Sequence, residues 1–350
     1  ASARYGTESD EVAAVVEAGI GVGFADKEVE RVEVETSSIQ ETTNAVLFLS
    51  SNETTSSQGN YDLNIQFYNS EVPVYSADAV VTLSNSAAFS RPSAGAFNIG
   101  VSDLFFTLYK TTDGSIKFYY YDFETAAEGE LPYFSAEQAE LFNNISIDRS
   151  FKNLAASLTG ILENVIQIYD IEDSQSSFIE PTGPSYTQGE TGLSVDLVDV
   201  VEFDPTGRFL AFDYLTSTPD GQEFWSIGIL EIETGFISYP FANLPPNILV
   251  GFPSFSNVDS DIVIFDAFFN DTGESAAYII ELKTGDITLI SNTKAIDSED
   301  AHYGLPTLTN DDSAAIFSVM NTGGNYIGLM PLSNSYEPNT ESFSYLNPVN

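Results

Sequence analysis

In the C-terminal half of the chain one pattern returns about every 45–50 residues, a spacing that restricts the fold to architectures made by repeating a small antiparallel unit. The first copy is VEFDPTGRFLAF at 201–212, then a polar loop, FWSIGILEIETG at 224–235 and a closing run at 236–239. The second is GFPSFSN at 251–257, DIVIF at 261–265, AAYIIELKTG at 276–285 and DITLI at 286–290. The third is YGLPTLTND at 303–311, SAAIFS at 313–318, NYIGLM at 325–330 and a tail through Phe343 and Tyr345. Each copy runs in one order: a strand, a tight turn, a very apolar strand, a polar loop, an aromatic-led strand, a turn and an edge strand. That is a four-stranded antiparallel meander whose second strand is apolar on both faces and must be covered on both.

Weaker copies extend upstream. Residues 145–148, 154–158 and 165–171 make a fourth; 97–99, 104–109 and 116–123 with an Asp113-Gly114 turn make a fifth; 45–49, 63–67 and 72–75 make a sixth. The expected fold class is therefore all-β, a β-propeller of four-stranded blades, with a count of six. Residues 79–83 (AVVTL) are surplus to that count, so seven blades, or an N-terminal sandwich ahead of a smaller array, are the alternatives. Helical periodicity is scarce; residues 135–142 (SAEQAELF) read as a helical turn or two, with Ser135 and Gln138 as a capping box.

The segment FDPTGRFLAF at 203–212 resembles the F-S-P-D-G-K-x-I-A-F core of TolB-like repeats, and the turns Thr234-Gly235 and Thr284-Gly285 match the turn after that family's third strand. The other two copies replace the first turn with 257–261 and 310–313. The resemblance covers about residues 196–345 and implies a scaffold rather than an activity.

Residues 1–36 read as an N-terminal arm ahead of the repeats at 37–350. Residues 28–35 alternate apolar with charged side chains, as a ring-closing strand would. Before them, Val12, Val15, Val16, Ile20, Val22 and Phe24 form an apolar run in which glycines 19, 21 and 23 alternate with large residues. Such a run packs into its own ring, or adds as a strand to another copy of the chain and generates rings or filaments.

Charge narrows the partners. The 52 Asp and Glu face 11 Lys and Arg, a formal net charge of -41, which repels nucleic acid and anionic membranes. No run of about 18 apolar residues is present to span a membrane as a helix. The start at Ala1 without Met is the form of an exported chain after leader removal, so an extracellular or cell-surface location is expected, with the periplasm as the alternative. Acceptor triplets for glycans begin at Asn52, Asn144 and Asn270.

The inventory for chemistry is thin. There is no cysteine, and His302 is the one histidine, expected in a solvated loop after the acids at 297–300. Neither a Gly-x-Ser-x-Gly elbow nor a Walker lysine accompanies the glycines. No catalytic or cofactor-binding residue is assigned, and Ca2+ is the cofactor for which the sequence offers oxygen ligands, at Asp259, Asp261, Asp311 and Asp312, without full calcium-loop spacing. The leading expectation is a non-enzymatic propeller that works through protein contacts, copies of itself included. Its rivals are a monomeric TolB-like module that captures a peptide in the central funnel, and a carbohydrate-active enzyme, which would need a deep pocket with two converging carboxylates.

Overall fold

The computed structural model describes the strand backbone of residues 3–131. It describes residues 142–349 apart from 151, 159, 174, 185–192, 218–220, 243, 246, 292–300, 310 and 322–323. Side chains are described from 144 to 345, outside those stretches and residues 161, 321, 324 and 325. Among the described residues all regular structure is strand, save two 3-10 turns at Gly160–Leu162 and Thr340–Ser342.

A hairpin of β1 (Ala3–Glu8) and β2 (Glu11–Val16) comes first. The next sheet holds β3 (Val29–Arg31), β4 (Thr43–Ser51), β5 (Tyr61–Asn69) and β6 (Val81–Ser84) in the order β3-β6-β5-β4. Five sheets follow in which neighbours in sequence are neighbours in space. They are β7 (Phe89–Asn98), β8 (Leu104–Thr111), β9 (Ile116–Asp122) and β10 (Ala127–Leu131); then β11 (Phe142–Ile147), β12 (Asn153–Leu158), β13 (Ile166–Asp170) and β14 (Gln175–Ile179). After them come β15 (Val195–Phe203), β16 (Phe209–Ser217), β17 (Glu223–Glu231) and β18 (Ile237–Ser238); β19 (Ile248–Phe255), β20 (Ile262–Phe269), β21 (Glu274–Glu281) and β22 (Ile287–Leu289); and β23 (His302–Leu308), β24 (Ala314–Asn321), β25 (Gly324–Pro331) and β26 (Ser344–Val349). The first strands touch in succession, β7 on β11, β11 on β15, β15 on β19 and β19 on β23, so the sheets meet along a common inner line.

The meander expected for each unit is present, and 209–212, 262–265 and 315–317 fall in equivalent places, on the second strands β16, β20 and β24. Two expectations are corrected. Residues 79–83 are not surplus: Val81–Ser84 is β6, paired with β5, the place assigned to 72–75, which lie outside the described residues. Pro73 explains the misassignment, because proline cannot donate to an inner ladder. Phe142, read as the end of a helix, begins β11; residues 135–141 lie outside the described residues. Val29–Arg31 of the arm pairs with β6, two sheet positions from β4.

Period-two alternation shows how each second strand is covered. Leu210, Phe212 and Tyr214 of β16 pack with Ala155, Ile166 and Ile168 of the preceding sheet, while Ala211 packs with Val250, Val263 and Phe265 of the next. On β20, Val263 and Phe265 face backward and Ile262 and Ile264 face forward, onto Tyr303, Ala315 and Phe317. Phe212, Phe265 and Phe317 are fully buried. Each contributes about 1.5–3 kcal/mol by removing its ring from water.

Two of these rings need glycine opposite them. A Cβ at Gly228, cross-strand from Phe212, would lie 2.4 Å from Cζ of that ring, and one at Gly328 would lie 2.8 Å from Cε2 of Phe317. The first-to-second strand turn of the best repeat is closed by Asp204, whose Oδ1 accepts the Phe209 N–H at 2.7 Å and whose Oδ2 accepts the Thr206 N–H at 3.2 Å. Gly207 there has φ +72°, a conformation suited to glycine. Gly228→Ala is expected to destabilise the protein by about 1–3 kcal/mol through overpacking, and adding Phe212→Leu should recover part of the loss. Denaturant unfolding of the two variants checks the pair; additive losses would show that the ring is not what the glycine accommodates.

Candidate functional site

The inner strands β15, β19 and β23 each carry a bulge within one residue of the same register, between Val198 and Val201, Gly251 and Ser254, and Gly304 and Thr307. Counting back from the paired residues makes Asp199, Gly251 and Gly304 equivalent, and likewise Val200, Phe252 and Leu305. Phe252 and Leu305 adopt φ of 49° and 53°, left-handed values that cost a side-chain-bearing residue energy. A bulge turns backbone N–H groups away from the ladder, and these need acceptors.

The acceptors come from the second strands, one residue after the buried phenylalanine. Asp213 follows Phe212 on β16, and alternation points it toward the next sheet. Its Oδ2 accepts the Phe252 N–H at 2.9 Å, and its Oδ1 accepts the Val200 N–H of its own sheet at 2.6 Å. Asp266, the matching residue of β20, accepts the Leu305 N–H at 3.3 Å through Oδ2. The equivalents in the flanking sheets are Ser157, whose hydroxyl donates to the Asp199 carbonyl, and Ser318. Three bulge amides are thus shared by two carboxylates. Asp213 has both oxygens engaged; Oδ1 of Asp266 has no backbone donor.

Above these groups opens a cavity of about 570 Å3, at the end where the second strands finish and the third begin. Its floor holds Asp199, Asp213, Asp266 and Ser318; its walls include Trp225, Leu249, Phe252 and Tyr303; Phe268 and Met320 stand at its lip, 39% and 55% exposed. Gly251 brings two of the acids together: a Cβ there would lie 3.1 Å from Asp213 Oδ2 and 3.7 Å from Asp266 Oδ1. Among the described residues that line the cavity there is no lysine or arginine.

Burial governs the protonation of the floor. Asp213 is pushed up to about 7 by burial and by the charge of Asp199, against the pull of its two backbone donors. Asp266 is pushed up to about 8 by burial, with the Leu305 N–H opposing and the Asp213 charge adding. Asp199 is raised by burial.

Sequence reasoning assigned no residue here except His302, which begins β23 and sits exposed at the cavity lip rather than in a loop. The calcium candidates lie at the opposite strand ends. Asp259 accepts the Asp261 N–H at 3.0 Å and Asp261 pairs with Lys283. Asp311 accepts the Ser313 N–H at 3.1 Å, and Asp312 receives Ser256, the Asn257 N–H and the Tyr336 hydroxyl across two sheets. Among the described residues no three His, Asp or Glu side chains gather as a metal-holding group. Of the assembly candidates, Val12, Val15 and Val16 lie on β2, opposite Thr7, Arg4 and Ala3 of β1; Ile20, Val22 and Phe24 lie outside the described residues. Asn144 is buried, with Oδ1 accepting the Val201 N–H, so its triplet is closed to a glycan in the folded protein; Asn270 is exposed, and Asn52 lies outside the described residues.

No family model matches the sequence, and neither does any curated protein. Solved structures do. A chain of the nidogen/laminin complex superposes with a TM-score of 0.54 at 11% identity, over 88% of this chain and 94% of that one. The fold is a β-propeller. Looser matches are the β-propeller domain of the Trilobed protease from Pyrococcus furiosus (TM-score 0.47, 11% identity, 86% of this chain and 80% of that one) and TolB from Acinetobacter baumannii (0.43, 10%, 83% and 77%). No helix among the described residues is long and apolar enough to cross a membrane.

The raised carboxyls make this propeller's stability depend on pH in one direction. For an acid whose folded value lies above its unfolded value, the stabilisation is full below the unfolded value near 4 and is lost as the pH climbs through the folded one. Melting temperature should therefore fall between pH 5 and pH 8.5, and Asp266→Asn, which keeps an acceptor for Leu305, should flatten the fall. Calorimetry across that range checks it; identical slopes for both proteins would refute the assignment.

Proposed function

We propose that this chain is a non-enzymatic β-propeller working outside the cell, and that it binds a protein partner at the mouth of this cavity. The observation that carries the reading is the pairing of exposed apolar side chains, Phe268 and Met320, with a recessed polar floor inside one 570 Å3 cavity. Exposed apolar groups around a pocket are what a partner's side chain covers on docking, and the enclosed volume suits one large side chain with its neighbours. Within that floor Asp213 serves the fold, since each of its oxygens accepts a backbone N–H, while Asp199 and Asp266 are the carboxyls that a turnover reading of the same cavity would use.

A photo-reactive phenylalanine analogue placed at 268 or at 320 should crosslink to a partner of defined mass in the protein's native surroundings. The same analogue at Ile287, 49% exposed on the outer edge strand β22, should not. A crosslinked species of twice the chain's mass would identify another copy as the partner. Equal labelling at Ile287 would reject the site. Turnover of polysaccharide or peptide pools that disappears in Asp266→Asn would replace binding by catalysis.

A further inference from the structure

Resting on the reading of this cavity as the partner site, we infer that the group it receives is the cationic side chain, lysine or arginine, of an extended partner segment with apolar neighbours. Oδ1 of Asp266 is left over from the sharing of bulge amides, and the Asp199 side chain has no hydrogen-bond or ion-pair partner among the described residues. Both line a cavity in which no lysine or arginine is found among the described residues. An apolar occupant would remove water from these oxygens and give nothing back, which costs more than an ordinary contact returns. An anionic occupant would meet three acids. A cation supplies the missing donors, and the indole of Trp225 and the ring of Phe268 offer faces to the alkyl stem or the charged head. Apolar residues beside the cation then cover Leu249 in the wall and Met320 at the lip.

The groups that titrate toward such a cation are Asp199 on β15, Asp213 on β16, Asp266 on β20, and His302 and Tyr303 on β23. Protonation of the acids removes the partner of the cation. Binding therefore strengthens from pH 6 to pH 8.5 with release of protons.

Trp225, the single tryptophan of the chain, reports on the site directly. The test titrates the full chain with an end-blocked pentapeptide, Ala-Leu-Lys-Leu-Ala, and with the same peptide carrying Arg, norleucine or Glu at the centre. Salt is held at 1 M, where the Debye length is about 3 Å and the diffuse attraction of the net negative charge is screened. The lysine or arginine peptide should quench or shift Trp225 emission and bind about tenfold or more tightly than the norleucine peptide, as a charged hydrogen bond in a cavity provides. Asp266→Asn and Asp199→Asn should each shrink that ratio, both by weakening the cationic peptides and by easing the cost of burying norleucine. Asp286→Asn, on an exposed outer turn, should leave it intact. Equal binding of lysine and norleucine peptides would overturn the cation assignment and keep the site. Absence of any response to all four peptides would overturn both. An equal loss in Asp286→Asn would show that the attraction belongs to the whole surface. Should Asp266→Asn fail to fold by circular dichroism, Asp199→Asn decides alone, since its side chain holds no backbone amide.

Discussion

The second strands β16 and β20 each have a sheet packed on either side, and this double coverage is what the rest of the described structure is arranged around. Because successive residues point to opposite faces, Leu210, Phe212 and Tyr214 belong to one interface and Ala211 and Asp213 to the other. The middle of such a strand is closed to solvent, and only its far end opens to water, at Phe268 of β20 and Met320 of β24. Any polar residue in it must find its partner in a neighbouring sheet, and Ser157, Asp213 and Asp266 all do so, on the inner strand of the sheet that follows. The glycines opposite Phe212 and Phe317 belong to the same economy of space, since an aromatic ring that thick leaves no room for a facing Cβ.

The bulges translate that packing into a site. An inner strand that kinks within one residue of the same register in three sheets frees its amides at nearly the same height, so the groups that answer them converge near the axis. Where the supply of carboxylate oxygens matches the amides, as at Asp213, the result is mortar. Where it exceeds them, as at Asp266, an oxygen is left facing the cavity. Phe252 and Leu305 hold strained backbone at this point, and the carboxylates of the preceding sheet hold them there. The candidate site is thus a by-product of how consecutive sheets are joined, displayed where the third strands begin.

What the sequence disclosed and what it concealed follow the range of the interactions. The turn closed by Asp204 is legible because its donors lie within five residues, and the apolar runs of β16, β20 and β24 are legible because burial on two faces suppresses alternation. The first four-stranded sheet was misdrawn at one strand, since 72–75 (VPVY) and 79–83 (AVVTL) are both short apolar runs and Pro73 is the local mark against the first as an inner strand. The site was not read at all. A signal existed: Asp213 and Asp266 interrupt otherwise apolar runs, FLAFDYL and IVIFDAFF, where a charged residue is costly unless held. Seeing that both belong with Asp199 and Gly251 requires the bulge register, which no local pattern reports. Conversely, the visible acidic turns at 259–261 and 311–313 spend their oxygens on local amides and hydroxyls.

The fourth strands β18 and β22 are two and three residues long, against nine and eight for the third strands they flank. A ladder that short offers a stray chain almost no unpaired backbone to zip onto, even though Phe236, Ile287 and Leu289 are exposed beside it. In brine, where repulsion between such acidic molecules fades, these two sheets would still resist growing sideways into amyloid-like ribbons, because the brake there is geometric and does not depend on charge.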